Sequence, residues 1–250
     1  MATKRSCFVW IAALLLCDGC THYYYAPNSL QTPFLQQRGD TRVSLGFIGG
    51  DEFNGFEAHA AYSPIRYGAV MVNYFQVQSN YSDNTASDWG RGRLTEVALG
   101  AYYPAHKYLS FSLFAGWGGG RVLNSYTDGA KSDLHFERRF IQPGFAVQGK
   151  WARVGMAFRF NRLKYLHGDI DLEIGEPHLT TIGNIEEASP VYVPEFGLSF
   201  GFGARPIWID LGINLNNSYD ASKLGFAGST TRITLNCELD HFWRKHPARP

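Results

Sequence analysis

The sequence predicts an all-β protein, a ten-stranded antiparallel β-barrel that spans a membrane, and three observations carry that reading. Ten runs alternate bulky apolar residues with small or polar ones, the period-2 mark of strands with two unlike faces. The links between runs alternate between short turns and longer polar loops, as in outer-membrane barrels with periplasmic turns. The bulky face carries Phe, Leu, Ile and Trp, while the other carries charges among Gly, Ser and Asn.

The clearest pair lies between Val191 and Asn216. Phe196, Leu198, Phe200 and Phe202 alternate with Glu195, Gly197, Ser199 and Gly201. After the Arg205-Pro206 turn, Ile207, Ile209, Leu211, Ile213 and Leu215 alternate with Trp208, Asp210, Gly212 and Asn214. Each run reaches the roughly 9–11 residues that a tilted strand needs to cross a bilayer.

In order, the runs are Asp40–Gly49, Gly55–Ser63, Gly68–Gln78, Gly92–Tyr103, Tyr108–Leu123, Leu134–Gly149, Trp151–Leu163, Val191–Ala204, Pro206–Asn216 and Thr230–Phe242. The short links are Ser63–Tyr67, Pro104–Lys107, Gly149-Lys150 and Ala204–Pro206. The polar loops are Ser79–Arg91, Asn124–Asp133, Lys164–Pro190 and Asn217–Ser229, with Gly50–Asn54 a short member of that class. An even strand count returns both barrel termini to the turn side, the periplasm. There a lipid on the N-terminus would sit in the inner leaflet. Tyr62, Tyr103, Trp151 and Phe242 suit an aromatic girdle at the turn end, and Phe75 and Phe160 one at the loop end.

The N-terminus reads as a signal peptide over residues 1–19. Lys4 and Arg5 precede the apolar stretch Cys7–Leu16, which is too short to span a bilayer. Gly19-Cys20 offers a lipoprotein-type cleavage site with a covalent lipid on Cys20, although Cys17 and Asp18 depart from the usual pattern. Leu14–Cys17 is a poorer alternative site, and plain signal cleavage nearby leaves no lipid at all. Residues 20–39 then form a lipid-anchor tether, 40–243 the outer-membrane barrel and 244–250 a C-terminal tail. The tether is expected to pack its tyrosines on the barrel rim. Removing the signal takes Lys4, Arg5 and Asp18 and leaves cations and anions balanced. That balance argues against nucleic acid as a partner and leaves outer-membrane lipid and a protein partner in that membrane.

Parity places Arg42, Glu57, His59, Glu96, Arg138, Arg153, Arg159, Glu195, Asp210, Arg232 and Glu238 on the inward face. Five arginines against five carboxylates would let opposite charges pair across a narrow lumen, as a closed interior requires. A soluble, lipocalin-like barrel would put its bulk inside instead. His59, two residues from Glu57, reads as a hydrogen-bonded lumen histidine rather than a proton-sensitive latch.

Three further stretches carry residue patterns associated with chemistry. Gly197–Gly201 matches G-x-S-x-G, but Ser199 lies mid-strand, where no nucleophile elbow can form. Gly116–Gly120 lacks the spacing and the helix of a phosphate loop. Asp169, Asp171 and Glu173 share one face of an extended segment beside His167. There they could bind Ca²⁺, activate water with the histidine, or form a solvated acidic edge.

The basic leader, Cys20, the Tyr23–Asn28 stretch, the Pro33 segment and the Gly-rich barrel together resemble small outer-membrane β-barrel lipoproteins of Bacteroidota-type bacteria. That resemblance covers nearly the whole chain. It implies location and fold, and no functional residue beyond Cys20. The sequence thus leads to a lipid-anchored outer-membrane barrel with a closed, salt-bridged lumen, a structural or binding component. An outer-rim hydrolase of the protease type and a narrow channel are the alternatives.

Overall fold

The computed structural model describes residues 23–50, 53–83, 86–126, 129–170, 175–216 and 224–243. Ten antiparallel strands close into one barrel in which each strand pairs with its sequence neighbours and the first pairs with the last. They are β1 (Thr41–Gly49), β2 (Asn54–Ile65), β3 (Gly68–Asp83), β4 (Ala86–His106), β5 (Leu109–Ser125), β6 (Lys131–Gln148), β7 (Ala152–Ile170), β8 (Val191–Ala204), β9 (Ile207–Asn216) and β10 (Ser229–Glu238). Closure removes the exposed edges that an open sheet would carry. No helix among the described residues is long and apolar enough to cross a membrane.

Alternation sorts the faces as the sequence suggests, with Phe47, Leu99, Phe202, Leu211 and Leu235 exposed on the outside. Tyr62, Tyr103, Trp151, Phe160 and Phe242 are also exposed. Phe75, expected in the loop-end girdle, points inward instead and is buried. It joins an apolar cluster that fills the loop end of the lumen with Leu94, Phe136, Tyr165 and Val193. A second inward cluster near the turn end groups Leu35, Met71, Tyr102, Phe114 and Phe140. The lumen is therefore apolar at the loop end and charged at mid-depth, and toward the turn end apolar side chains share it with further charges such as Arg42 and Glu238.

Five strands extend past their expected loop-side ends. β3 and β4 stay paired up to Asp83 and Ala86, through residues expected to form a loop. β5 and β6 stay paired up to Ser125 and Lys131, and β7 runs on to Ile170. These extensions lack one-sided apolar alternation, and the backbone ladder carries them together with side-chain contacts such as Arg121 on Asp133 and Tyr165 on the Tyr24 carbonyl. The Lys164–Pro190 loop also contains a helix, α1 (Glu176–Ala188), with proline in its first turn, the position where its missing N–H costs nothing. Leu179, Ile182 and Ile185 recur along it, and the two isoleucines are buried in the loop-end cluster. At the other end the last strand stops at Glu238, not Phe242, and Asp240–Trp243 forms a single helical turn, α2. The Asp240 carboxylate accepts from the Thr41 N–H at 3.2 Å and from Arg42, which holds that turn against the start of β1.

The largest departure is residues 23–39. β1 begins and β10 ends at the turn side, as an even count requires. The chain before β1 does not stay there. Tyr24 N–H donates to the Gly225 carbonyl and Ala227 N–H to Tyr25, both at 2.8 Å, on the link between β9 and β10 at the loop end. Asp40 lies at the opposite end, where its carbonyl accepts from Ser63 N–H at 3.0 Å. Between these points the chain runs down the inside of the barrel, with Tyr24, Tyr25, Asn28, Ser29, Leu30, Phe34 and Leu35 all buried. Ten extended residues reach about 33 Å, the depth of such a barrel. The segment expected to pack on the rim is a plug.

Candidate functional site

The plug can cross the lumen because the barrel wall satisfies its main chain. An extended segment away from water must find partners for each N–H and C=O, and prolines at 27 and 33 remove two donors from that demand. Wall side chains meet part of the rest. Ser29 N–H donates to Glu57 at 3.2 Å, and Leu30 N–H to Asn214 at 3.2 Å. Thr230 donates to the Pro27 carbonyl at 3.2 Å and Gln142 to that of Gln31 at 2.7 Å. Arg42 donates to Phe34 at 3.2 Å and Ser110 to Leu35 at 3.0 Å. Inward glycines leave the plug its room. A Cβ on Gly197 would sit 2.8 Å from the Leu30 Cβ, and one on Gly155 would collide with Thr32.

The densest contact lies mid-barrel around Asn28 and Ser29, both fully buried. The Asn28 carbonyl oxygen accepts from Arg138 and Arg159 at 2.6 Å each, and its amide donates to Glu96 at 3.1 Å. Arg138 also pairs with Glu96 at 2.5 Å, and Arg159 lies 3.6 Å from Glu195. Tyr25 donates to Glu195 and accepts from Arg138 at 2.5 Å. The Ser29 hydroxyl donates to Glu57, which also faces His59 at 3.3 Å and Arg232 at 3.9 Å. His59 in turn donates to Asn73 at 2.9 Å, and Asn73 to Glu96 at 3.3 Å. Three arginines, 138, 159 and 232, thus meet three carboxylates, 57, 96 and 195.

A second group sits toward the turn end. Arg153 and Asp210 form a bidentate pair at 2.7 and 2.5 Å. Glu238 accepts from Gln148 at 2.8 Å and Trp208 at 3.1 Å, pairs with Arg205 at 2.9 Å and lies 3.6 Å from Arg42. Beside the plug, a cavity of about 40 Å³ is lined by Gln31, Thr32, Arg42, His59 and Arg232. Met71, Val147 and Val154 also line it, and it has room for roughly three water molecules.

The inward charges named from sequence therefore fall into two connected groups. Sequence reasoning missed their partners on the plug, Tyr25, Asn28 and Ser29, and the wall amides Asn73 and Gln142. One signal was present: residues 21–37 contain no Asp, Glu, Lys or Arg and are rich in aromatics, which is unusual for a tether held in water.

The acidic rim does not form a described site. Asp169 is exposed on β7 opposite Asp133. Asp171 and Glu173 lie outside the described residues, as do Cys20 and the side chain of His167. No group of three or more potential metal ligands occurs among the described residues. Ser199 faces the lumen mid-β8, its hydroxyl 3.4 Å from the Gly155 carbonyl, with no elbow geometry.

The chain matches no protein-family model and no curated protein sequence. Among solved structures it is similar to LpxR from Salmonella typhimurium, with 8% identity and a TM-score of 0.40 over 78% of this chain and 99% of that one. It is also similar to Ail, the attachment invasion locus protein of Yersinia pestis, with 12% identity and a TM-score of 0.31 over 80% of this chain and 97% of that one. Likeness this faint carries no argument about what the chain does.

Proposed function

We propose that this protein is an outer-membrane β-barrel sealed by its own N-terminal segment, a structural or binding component rather than a channel or a rim hydrolase. The apolar outer face supports the membrane setting, since a soluble barrel would not expose Phe47, Leu99 and Phe202 together. The observation that carries the sealed reading is Asn28, held by two arginines and a glutamate at the centre of the lumen. Ion pathways need water and a charge excess at their constriction. Here the mid-barrel charges are balanced, paired and covered by the plug.

A lipid on Cys20 remains part of this proposal, with its side revised. Three chain steps separate Cys20 from Tyr23, at most about 11 Å, so an acyl group there would stand on the loop side rather than in the inner leaflet. In a planar bilayer, purified wild type should show no steady conductance steps, and a variant lacking residues 27–35 should show them. Reproducible steps from wild type would overturn the sealed reading and favour the channel.

A further inference from the structure

We propose that the loop-side outer face of β4–β7 docks the phosphate-bearing headgroup of a membrane glycolipid, an inference that rests on the membrane reading above. The strand register sets its level. One row across these strands and β8 is apolar: Leu99, Ala115, Ile141, Phe160 and Pro194. One step toward the loops the row reads Val97, Trp117, Arg139, Arg162 and Tyr192, with Trp117 and Tyr192 both exposed. Exposed aromatics just above an apolar belt mark the membrane–water boundary. Two steps beyond, Arg93, Arg121 and His135 share a row. The loop-side halves of β9, β10, β1 and β2 present Leu215, Ile233, Phe47 and Phe56 instead, so among the described residues the basic surface occupies one side.

Within that surface like charges directly oppose each other. Arg139 is the register partner of Arg162, and Arg93 that of Arg121. Like charges in that position destabilise a sheet; Asp133 chelates Arg121 and lies 3.4 Å from His135. Among the described residues, no carboxylate forms an ion pair with Arg93, Arg139 or Arg162. Gly119, between Thr95 and Glu137 in the register, leaves a dent in the wall. There an open cleft of about 370 Å³ is lined by Tyr74, Arg93, Arg121, His135 and Glu137. An anion seated between the arginine pairs would turn repulsion into attraction, and phosphate suits the guanidinium fork. A lipid is the occupant because its chains would continue down over Leu99, Ile141 and Phe160, where a soluble anion or protein cannot follow.

The test compares wild type, Arg139→Gln and the pair Arg93→Gln with Arg162→Gln. Each is inserted into nanodiscs of phosphatidylcholine alone or doped with diphosphorylated lipid A. Insertion is scored first, by the heat-sensitive gel mobility of the folded barrel, so that failure of the membrane reading shows separately. In phosphatidylcholine alone Arg139→Gln should melt no lower than wild type, because a like-charge pair has been relieved. Lipid A should raise the melting temperature of wild type and raise the double variant's much less. Retention of labelled lipid A should fall about fivefold per arginine removed. Equal retention by all three proteins, or an equal rise with dephosphorylated lipid A, would overturn the proposal.

Discussion

Asn28 uses both ends of its amide on charged groups, its oxygen on Arg138 and Arg159 and its nitrogen on Glu96. Its removal would leave three buried charged groups each short of one bond. Hydrogen bonds to charged groups are worth roughly 1.5–3 kcal/mol apiece. Arg159→Ala goes further, because it leaves Glu195 without its 3.6 Å partner and unbalances the mid-barrel charges. A buried pair broken from one side costs about 3–5 kcal/mol. In urea unfolding from detergent micelles, Arg159→Ala should therefore lose about that much, and Asn28→Ala a smaller but clear amount. A loss under about 1 kcal/mol for Arg159→Ala would mean that water reaches the site. At this scale the wall was legible and its partner was not. Strand parity alone turns Glu96, Arg138 and Arg159 inward, but nothing local to Asn28 announces a glutamate 68 positions away.

The plug is the element that organises the interior. Its polar centre, Asn28-Ser29, meets the charged layer, while Tyr24 and Tyr25 join the loop-end cluster and Leu35 the turn-end one. Gly155 and Gly197 are inward glycines whose absent side chains give the plug its path. In Gly155→Leu the backbone ladder of β7 with its neighbours should persist, because glycine's extended conformation there is open to any residue. The new side chain competes with Thr32. The variant should keep the gel mobility of a closed barrel yet expose residues 23–38 to protease, which wild type should resist. Retained protection would show that the plug lies elsewhere or has slack. The sequence could show these glycines as small inward positions, but not what fills the space, because a plug without period has no pattern to read. Helix α1 was legible only in part: Pro177 and the Leu179, Ile182, Ile185 spacing mark a helix, but a long polar loop between two strands hid it.

At the scale of the whole molecule, a barrel wall and a threaded segment give the chain two directions of travel. The strand count and the pairing order could be read from period-2 patterning, which an apolar outer face and a crowded lumen impose residue by residue; the strict alternation of short and long links could not, since β3 ends at Asp83 and β4 begins at Ala86 where a long loop was expected. The path of the chain before β1 could not. It is set by long-range hydrogen bonds from seven strands' worth of wall, none of them visible in local spacing. Threading makes a claim independent of which side of the membrane is which: the chain just before Tyr23 shares a side with the long loops, and the short turns lie opposite. The most direct test places a protease-cleavable tag after Thr21, in the link between β7 and β8, or in the turn at His106, and reads cleavage in intact cells and after lysis. The tags after Thr21 and in the β7–β8 link should be cut together in intact cells, and the His106 tag only after lysis. If the Thr21 tag instead follows the His106 tag, the segment does not pass through the barrel.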